Sequence, residues 1–227
     1  METHRMETNR IPFKEFLLTA FEKGDYTTDD VIAFVLPLFS EVLSFHESGK
    51  VGPFEREDAL FLTEHHLDID EDSAHAPSYA LARVSALFPR EQSRHFEVVG
   101  KMKIRTDTGE GSTELENLQV FTEINKPLEY PAYIPGYQCF ECLLGHHDPQ
   151  TDIFSLGLIL GSIALGLDLY EIEDLQLFAR ARSNPSLHQA RIHPTLGRLI
   201  TEMTELDRSR RTQDLYEVIQ RLRHYRD

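Results

Sequence analysis

Cys139-x-x-Cys142, followed by His146 and His147, brings together two thiols and two imidazoles, the ligand types that hold zinc. A zinc-stabilised adaptor built on these four residues is therefore one reading of the chain. A redox role for the same thiols lacks the βαβ surroundings of a thioredoxin-like site. Asp68, Asp70 and Asp72 alternate as carboxylates do in a calcium loop. That pattern fails in its own terms, because Ser73 replaces the loop glycine and Tyr79 stands where the closing glutamate belongs. His65-His66 beside these acids reads as an exposed turn. Ser155 has no neighbouring base or oxyanion donor in the sequence. Gly109-Glu110-Gly111-Ser112 has no strand before it and no helix after it, so it reads as a turn and not a phosphate loop.

The elements that must carry these residues follow from periodicity and punctuation. Phe13–Phe21 reads as a short helix ending near Gly24. Thr27 or Thr28 caps a second helix, with Asp29 and Asp30 in the first turn where the dipole favours acids. Val31, Phe34, Val35, Leu38, Val42 and Phe45 recur at helical spacing through it. Pro37 falls inside this helix, where it should kink it, and Gly49 ends it. Short apolar runs at Ala59–Leu62 and Leu67–Ile69 suggest small strands, and residues 71–90 read as loop. Phe96–Ile104 and Leu115–Ile124 carry strand-type residues around a Gly-rich turn, a pattern that predicts a hairpin. Pro127, Pro131 and Pro135 enforce an extended approach to Gly136. Ile153–Leu165 is apolar on nearly all faces, which predicts a helix buried at the centre of a domain. Three amphipathic helices should follow at Glu173–Arg182, Pro194–Thr204 and Thr212–Tyr225.

The 227 residues are ample for a sizeable core. No apolar run approaches the ~20 residues a membrane span needs. The N-terminus carries no apolar stretch suited to a secretory signal. With two cysteines and no disulfide framework, a reducing cytoplasm is the expected location. The net charge of −15 is uneven: residues 1–177 hold 13 Lys and Arg against 32 Asp and Glu, and residues 178–227 hold 10 against 6. The acidic body argues against direct nucleic-acid binding, which phosphate contacts dominate. The arginine-rich tail reads as a solvated face or as a surface for an acidic partner.

Gly136-Tyr137-Gln138-Cys139-Phe140-Glu141-Cys142, with Asp152-Ile153-Phe154-Ser155-Leu156-Gly157, resembles the end of a protein-kinase activation segment running into the central helix of the kinase C-terminal lobe. There an Ala-Pro-Glu triplet is followed by a helix opening Asp-x-Trp-Ser-x-Gly. The resemblance implies scaffold roles for three residues. Glu141 would pair in the interior with Arg211, and Asp152 would bind the backbone of the loop that is catalytic in kinases. Breaking such a buried pair costs about 3–5 kcal/mol, because one charge is left uncompensated.

The same resemblance implies that phosphotransfer chemistry is missing. Where a kinase has His-Arg-Asp and an asparagine further on, this chain has Gly52-Pro53-Phe54 and then Ala59. Neither Phe54 nor Ala59 can orient a hydroxyl or bind magnesium. No Asp-Phe-Gly follows, and too few residues precede the first helix for a nucleotide-gripping lobe. About 65 residues separate the degenerate loop from Gly136, long for an activation segment, so an insertion is expected there. A narrower likeness, carried by Gly145–Gly157, Met203–Arg208 and Leu222–Asp227, is to the kinase-like region at the N-terminus of large bacterial superfamily 1 helicase proteins associated with defence against phage.

The expectation is an α+β, mainly α fold: one kinase-like C-terminal lobe over residues 1–227, without the N-terminal lobe, with a hairpin-containing insertion at about 73–130. The implied function is a non-catalytic, pseudokinase-type interaction or regulatory module of a larger bacterial defence protein. It would have no cofactor, metal or catalytic residue, and its partners would be other domains or proteins, not nucleic acid or membrane. Two alternatives stay open. One is an atypical nucleotide-dependent transferase, completed by a partner chain, with metal on Asp70 or Asp72; the other is the zinc-stabilised adaptor.

Overall fold

The computed structural model describes residues 10–17, 26–56, 58–63, 66–79, 97–100, 103–106, 119–120, 132–182 and 192–227. It is an α+β fold, mainly helical, with small sheets at its margins. Residues 13–17 form helix α1, of which the remainder predicted to Phe21 lies outside the described residues. Helix α2 (Thr28–Glu47) opens on a reciprocal cap. The Thr27 hydroxyl oxygen accepts from the Asp30 N–H, and the Asp30 carboxylate accepts from the Thr27 N–H at 2.8 Å. Its buried face is Val31, Val35, Leu38, Phe39, Val42 and Phe45, the predicted stripe with Phe34 moved to the margin. Pro37 lies within α2 without ending it. Gly49 closes the helix at φ 74°, a left-handed value that favours glycine.

A hairpin of β2 (Leu60–Thr63) and β3 (His66–Ile69) follows, with β1 (Ile11–Pro12) on the outer edge of β2. Leu60, Leu67 and Ile69 face the core under α2. The stretch expected to be loop after residue 70 contains a 3₁₀ turn (Glu71–Ser73) and strand β4 (Ser78–Tyr79). Strand β4 forms because a distant segment, β9 (His146–His147), supplies its partner, which local sequence does not reveal. The run predicted as one strand from Phe96 is two, β5 (Glu97–Gly100) and β6 (Lys103–Thr106), paired antiparallel with Gly100 opposite Lys103. Gly100 interrupts the β-branched run ahead of it. Strand β7 (Gln119–Val120) pairs with β6 across the predicted turn, whose tip lies outside the described residues. Strand β8 (Ala132–Tyr133) adds parallel to β5.

Helix α3 (Pro149–Leu165) is the axis of the domain, and every residue from Thr151 to Leu165 is buried. Asp148 caps its start, accepting from the Gln150 and Thr151 N–H groups, with Pro149 in the first turn where no N–H is needed. Two glycines let neighbours reach its backbone. A Cβ on Gly157 would lie 2.7 Å from that of Met203, and one on Gly161 2.3 Å from the Phe178 ring. The neighbours belong to α5 (Pro194–Met203) and α4 (Ile172–Ala181). Helix α6 (Leu215–Arg223) starts three residues later than the expected Thr212, after an Asp214 cap whose carboxylate accepts from the Tyr216 N–H at 2.8 Å. Among the described residues no helix is long and apolar enough to cross a membrane.

Candidate functional site

Glu141 sits in a single 3₁₀ turn (Phe140–Leu144), and Arg211 lies in the irregular segment before α6. The structure brings them together: Arg211 Nη1 and Nη2 donate to the two Glu141 oxygens at 2.8 and 3.1 Å, with both side chains fully buried. Arg211 also donates to the Gln150 and Glu205 carbonyls and lies 4.7 Å over the Phe154 ring. Burial alone would favour the neutral forms. Mutual attraction overrides it, holding the Glu141 carboxyl below its usual range and the Arg211 guanidinium above its own. A second arginine shares the anion, since Arg208 reaches Glu141 at 3.1 Å and Asp148 at 2.5 Å. Asp148 thus caps α3 and joins this network, and His146 Nε2 lies 3.1 Å from it. A shared buried anion of this kind fixes the angle between the 140–148 segment and the C-terminal helices.

Asp152 lies one turn into α3 and is also buried. Its Oδ2 accepts from the Gly52 N–H at 2.7 Å and lies 2.9 Å from His46 Nε2. One carboxylate therefore ties the last turn of α2, the following loop and the central helix. Desolvation pushes its pKa up to about 6, with His46 and the Gly52 amide acting the other way. Gly52 is needed for space as well, because a Cβ there would lie 2.7 Å from the Phe54 ring folded over it.

Ala59 is buried and Phe54 half-buried against the core. The space beside them is a cavity of about 20 Å³ bounded by Phe54, Ala59, Phe13, Ile69 and Tyr137, room for little more than one water. The three alternating acids are not gathered into a metal cluster. Asp68 accepts from the Ile69 N–H at 2.9 Å, and Asp70 accepts from Ser73 at 2.5 Å with Arg56 at 3.8 Å. Asp72 is exposed. His66 lies in β3, with Nε2 3.2 Å from the Thr63 hydroxyl, and so is part of a ladder and not an exposed turn. His65 and Gly109–Ser112 lie outside the described residues. The Ser155 hydroxyl is buried in α3 with no hydrogen-bond partner.

Cys139, Cys142, His146 and His147 are near in sequence but do not share a centre. The Cys139 thiol donates to Glu141 at 2.8 Å, and burial followed by that anion pushes its pKa well up, so it stays a thiol. Burial likewise raises the Cys142 thiol. His146 turns toward Asp148, and His147 turns away from the cysteines toward Glu55 and His75. Among the described residues, Glu55, His75 and His147 are the group whose ligand atoms converge, all within 4.8 Å of one another. Sequence reasoning misses Glu55 and His75 because no spacing links positions 55, 75 and 147. Two pairings do so: an isolated bridge of Val51 to His75, and the β4–β9 ladder of Ser78 to His147. No protein-family model matches the chain, and no curated protein matches it.

Proposed function

We propose that the chain is a non-catalytic, pseudokinase-type module, a kinase-like C-terminal lobe that serves protein interaction or regulation. In this reading it works inside a larger bacterial defence protein of the helicase class, with other domains or proteins as its partners. One observation carries the reading. The interior charges Glu141, Arg211, Asp148 and Asp152 are all engaged in joining segments of the scaffold, and the positions that would handle phosphate hold Phe54 and Ala59 packed on the core. Phosphoryl transfer draws its rate from positioning and charge neutralisation, and a phenylalanine and an alanine offer neither.

The test is transfer of labelled phosphate from ATP, with magnesium or manganese, to the chain itself and to generic protein acceptors. The expected result is no incorporation above an enzyme-free blank. Incorporation that Asp70→Asn abolishes would replace this reading with a transferase.

A further inference from the structure

We propose that Glu55, His75 and His147 form a site for a divalent transition-metal ion of the zinc class. His75 shows the orientation most clearly. Its Nδ1 lies 3.0 Å from the Ala76 carbonyl oxygen, which can only accept, so Nδ1 carries the proton. In the neutral ring Nε2 is then a bare lone pair, and this atom is buried without a hydrogen-bond partner. It faces the Glu55 carboxylate at 3.3 Å. An imidazole nitrogen and a carboxylate set opposite one another are bridged either by a shared proton or by a metal cation. A backbone carbonyl fixing the outer nitrogen of an imidazole is also the arrangement that orients metal-bound histidines.

The third ligand atom is His147 Nδ1, 3.9 Å from the other Glu55 oxygen. His147 Nδ1, His75 Nε2 and a Glu55 carboxylate oxygen all lie within 4.8 Å of one another, close enough to converge on one ion. Zinc–ligand bonds of about 2.0–2.1 Å in a tetrahedron put neighbouring ligand atoms roughly 3.3 Å apart. The 3.3 and 3.9 Å separations from the two Glu55 oxygens are close to that spacing. With the three ligand atoms within 4.8 Å of one another, the imidazoles and Glu55 would close in on a bound ion. Two imidazoles and one carboxylate suit zinc, cobalt or nickel, whereas magnesium and calcium take oxygen shells.

Three protein ligands leave a coordination position for water or for a side chain from a partner. The ion would staple the loop after Val51, the segment before β4, and β9. Between them the described pairing is one isolated bridge and one two-residue ladder. This inference stands apart from the interaction reading and holds whether or not the chain is catalytic.

The experiment is a cobalt(II) titration of metal-stripped protein followed by visible absorption, with parallel melting curves in zinc and in magnesium. About one equivalent of cobalt should develop the intense absorption of low-coordinate nitrogen–oxygen ligation, and zinc but not magnesium should raise the midpoint. His75→Gln and His147→Gln should each weaken binding by more than the roughly 10–100-fold that loss of an outer-shell partner costs. Glu55→Gln, the most exposed change, carries the test if a histidine variant does not fold. A spectrum no different from aqueous cobalt with no zinc-induced rise would overturn the proposal. So would binding that survives in His75→Gln/His147→Gln, which would put the ion on other ligands.

Discussion

Replacing Arg211 with methionine removes a guanidinium that meets Glu141, the Gln150 and Glu205 carbonyls and the face of Phe154. Methionine fills much of the volume, so the loss reads charge and hydrogen bonding more than cavity. Orphaning a buried partner costs about 3–5 kcal/mol. Arg208 still reaches Glu141 at 3.1 Å, which places the expected loss near the lower end, about 3 kcal/mol. For a chain of this length that corresponds to a fall of roughly 6–12 °C in Tm. Urea denaturation followed by far-UV circular dichroism at pH 7 gives the free energy directly. Glu141→Leu alone should cost a similar amount, because Arg211 then has no anion. The double variant Glu141→Leu/Arg211→Met should fall short of the sum by at least about 2 kcal/mol, since neither charge is left uncompensated. An Arg211→Met loss below about 1 kcal/mol, or strict additivity in the cycle, would refute the assignment of this pair as a structural staple.

Asp152 and Glu141 should leave opposite marks on the pH dependence of stability. The folded-state pKa of Glu141 is depressed, so its contribution is present above the unfolded carboxylate range and is lost as pH falls. Asp152 is raised from 3.8 to about 6, so the folded state binds the extra proton and stability from this group falls as pH rises through that window. Asp152→Asn removes the falling part, and its stability should rise more steeply than wild type between about pH 4 and 6, as read from a series of urea midpoints. An unchanged slope would contradict the burial argument for Asp152. Gly161→Ala should cost about 1–3 kcal/mol by overpacking, because the added methyl would lie 2.3 Å from the Phe178 ring. Truncating Phe178 to leucine in the same chain should recover part of the loss.

Much of the helical frame is legible because it rests on local chemistry. The Val31–Phe45 stripe, the acids behind Thr27 and the apolar run through Leu165 each report a period or a cap that neighbours cannot easily override. The small strands are less legible, since β4 and β9 are two residues long and exist only through each other. The break between β5 and β6 is hidden in the same way, because a strand pattern does not say which partner it will find. In the candidate site, Glu141, Arg211 and Asp152 are reachable through a motif, and their partners Arg208, Asp148 and His46 are not. Those three follow from crossing geometry, where residues 60 or 106 positions apart share one carboxylate. The short-range quartet of cysteines and histidines misleads because proximity in sequence does not fix side-chain direction. In a tight 3₁₀ turn leading into a strand, Cys139 and His147 are aimed at different neighbours.

The measurement that bears most directly on the non-catalytic reading is the melting midpoint of the chain with millimolar ATP and magnesium or manganese, against each metal alone. A ligand that binds the native state raises the midpoint by mass action. The account predicts that nucleotide adds nothing to the metal-only curve. A nucleotide-dependent rise of several degrees, lost in Asp70→Asn, would contradict it and return the chain to the enzymes.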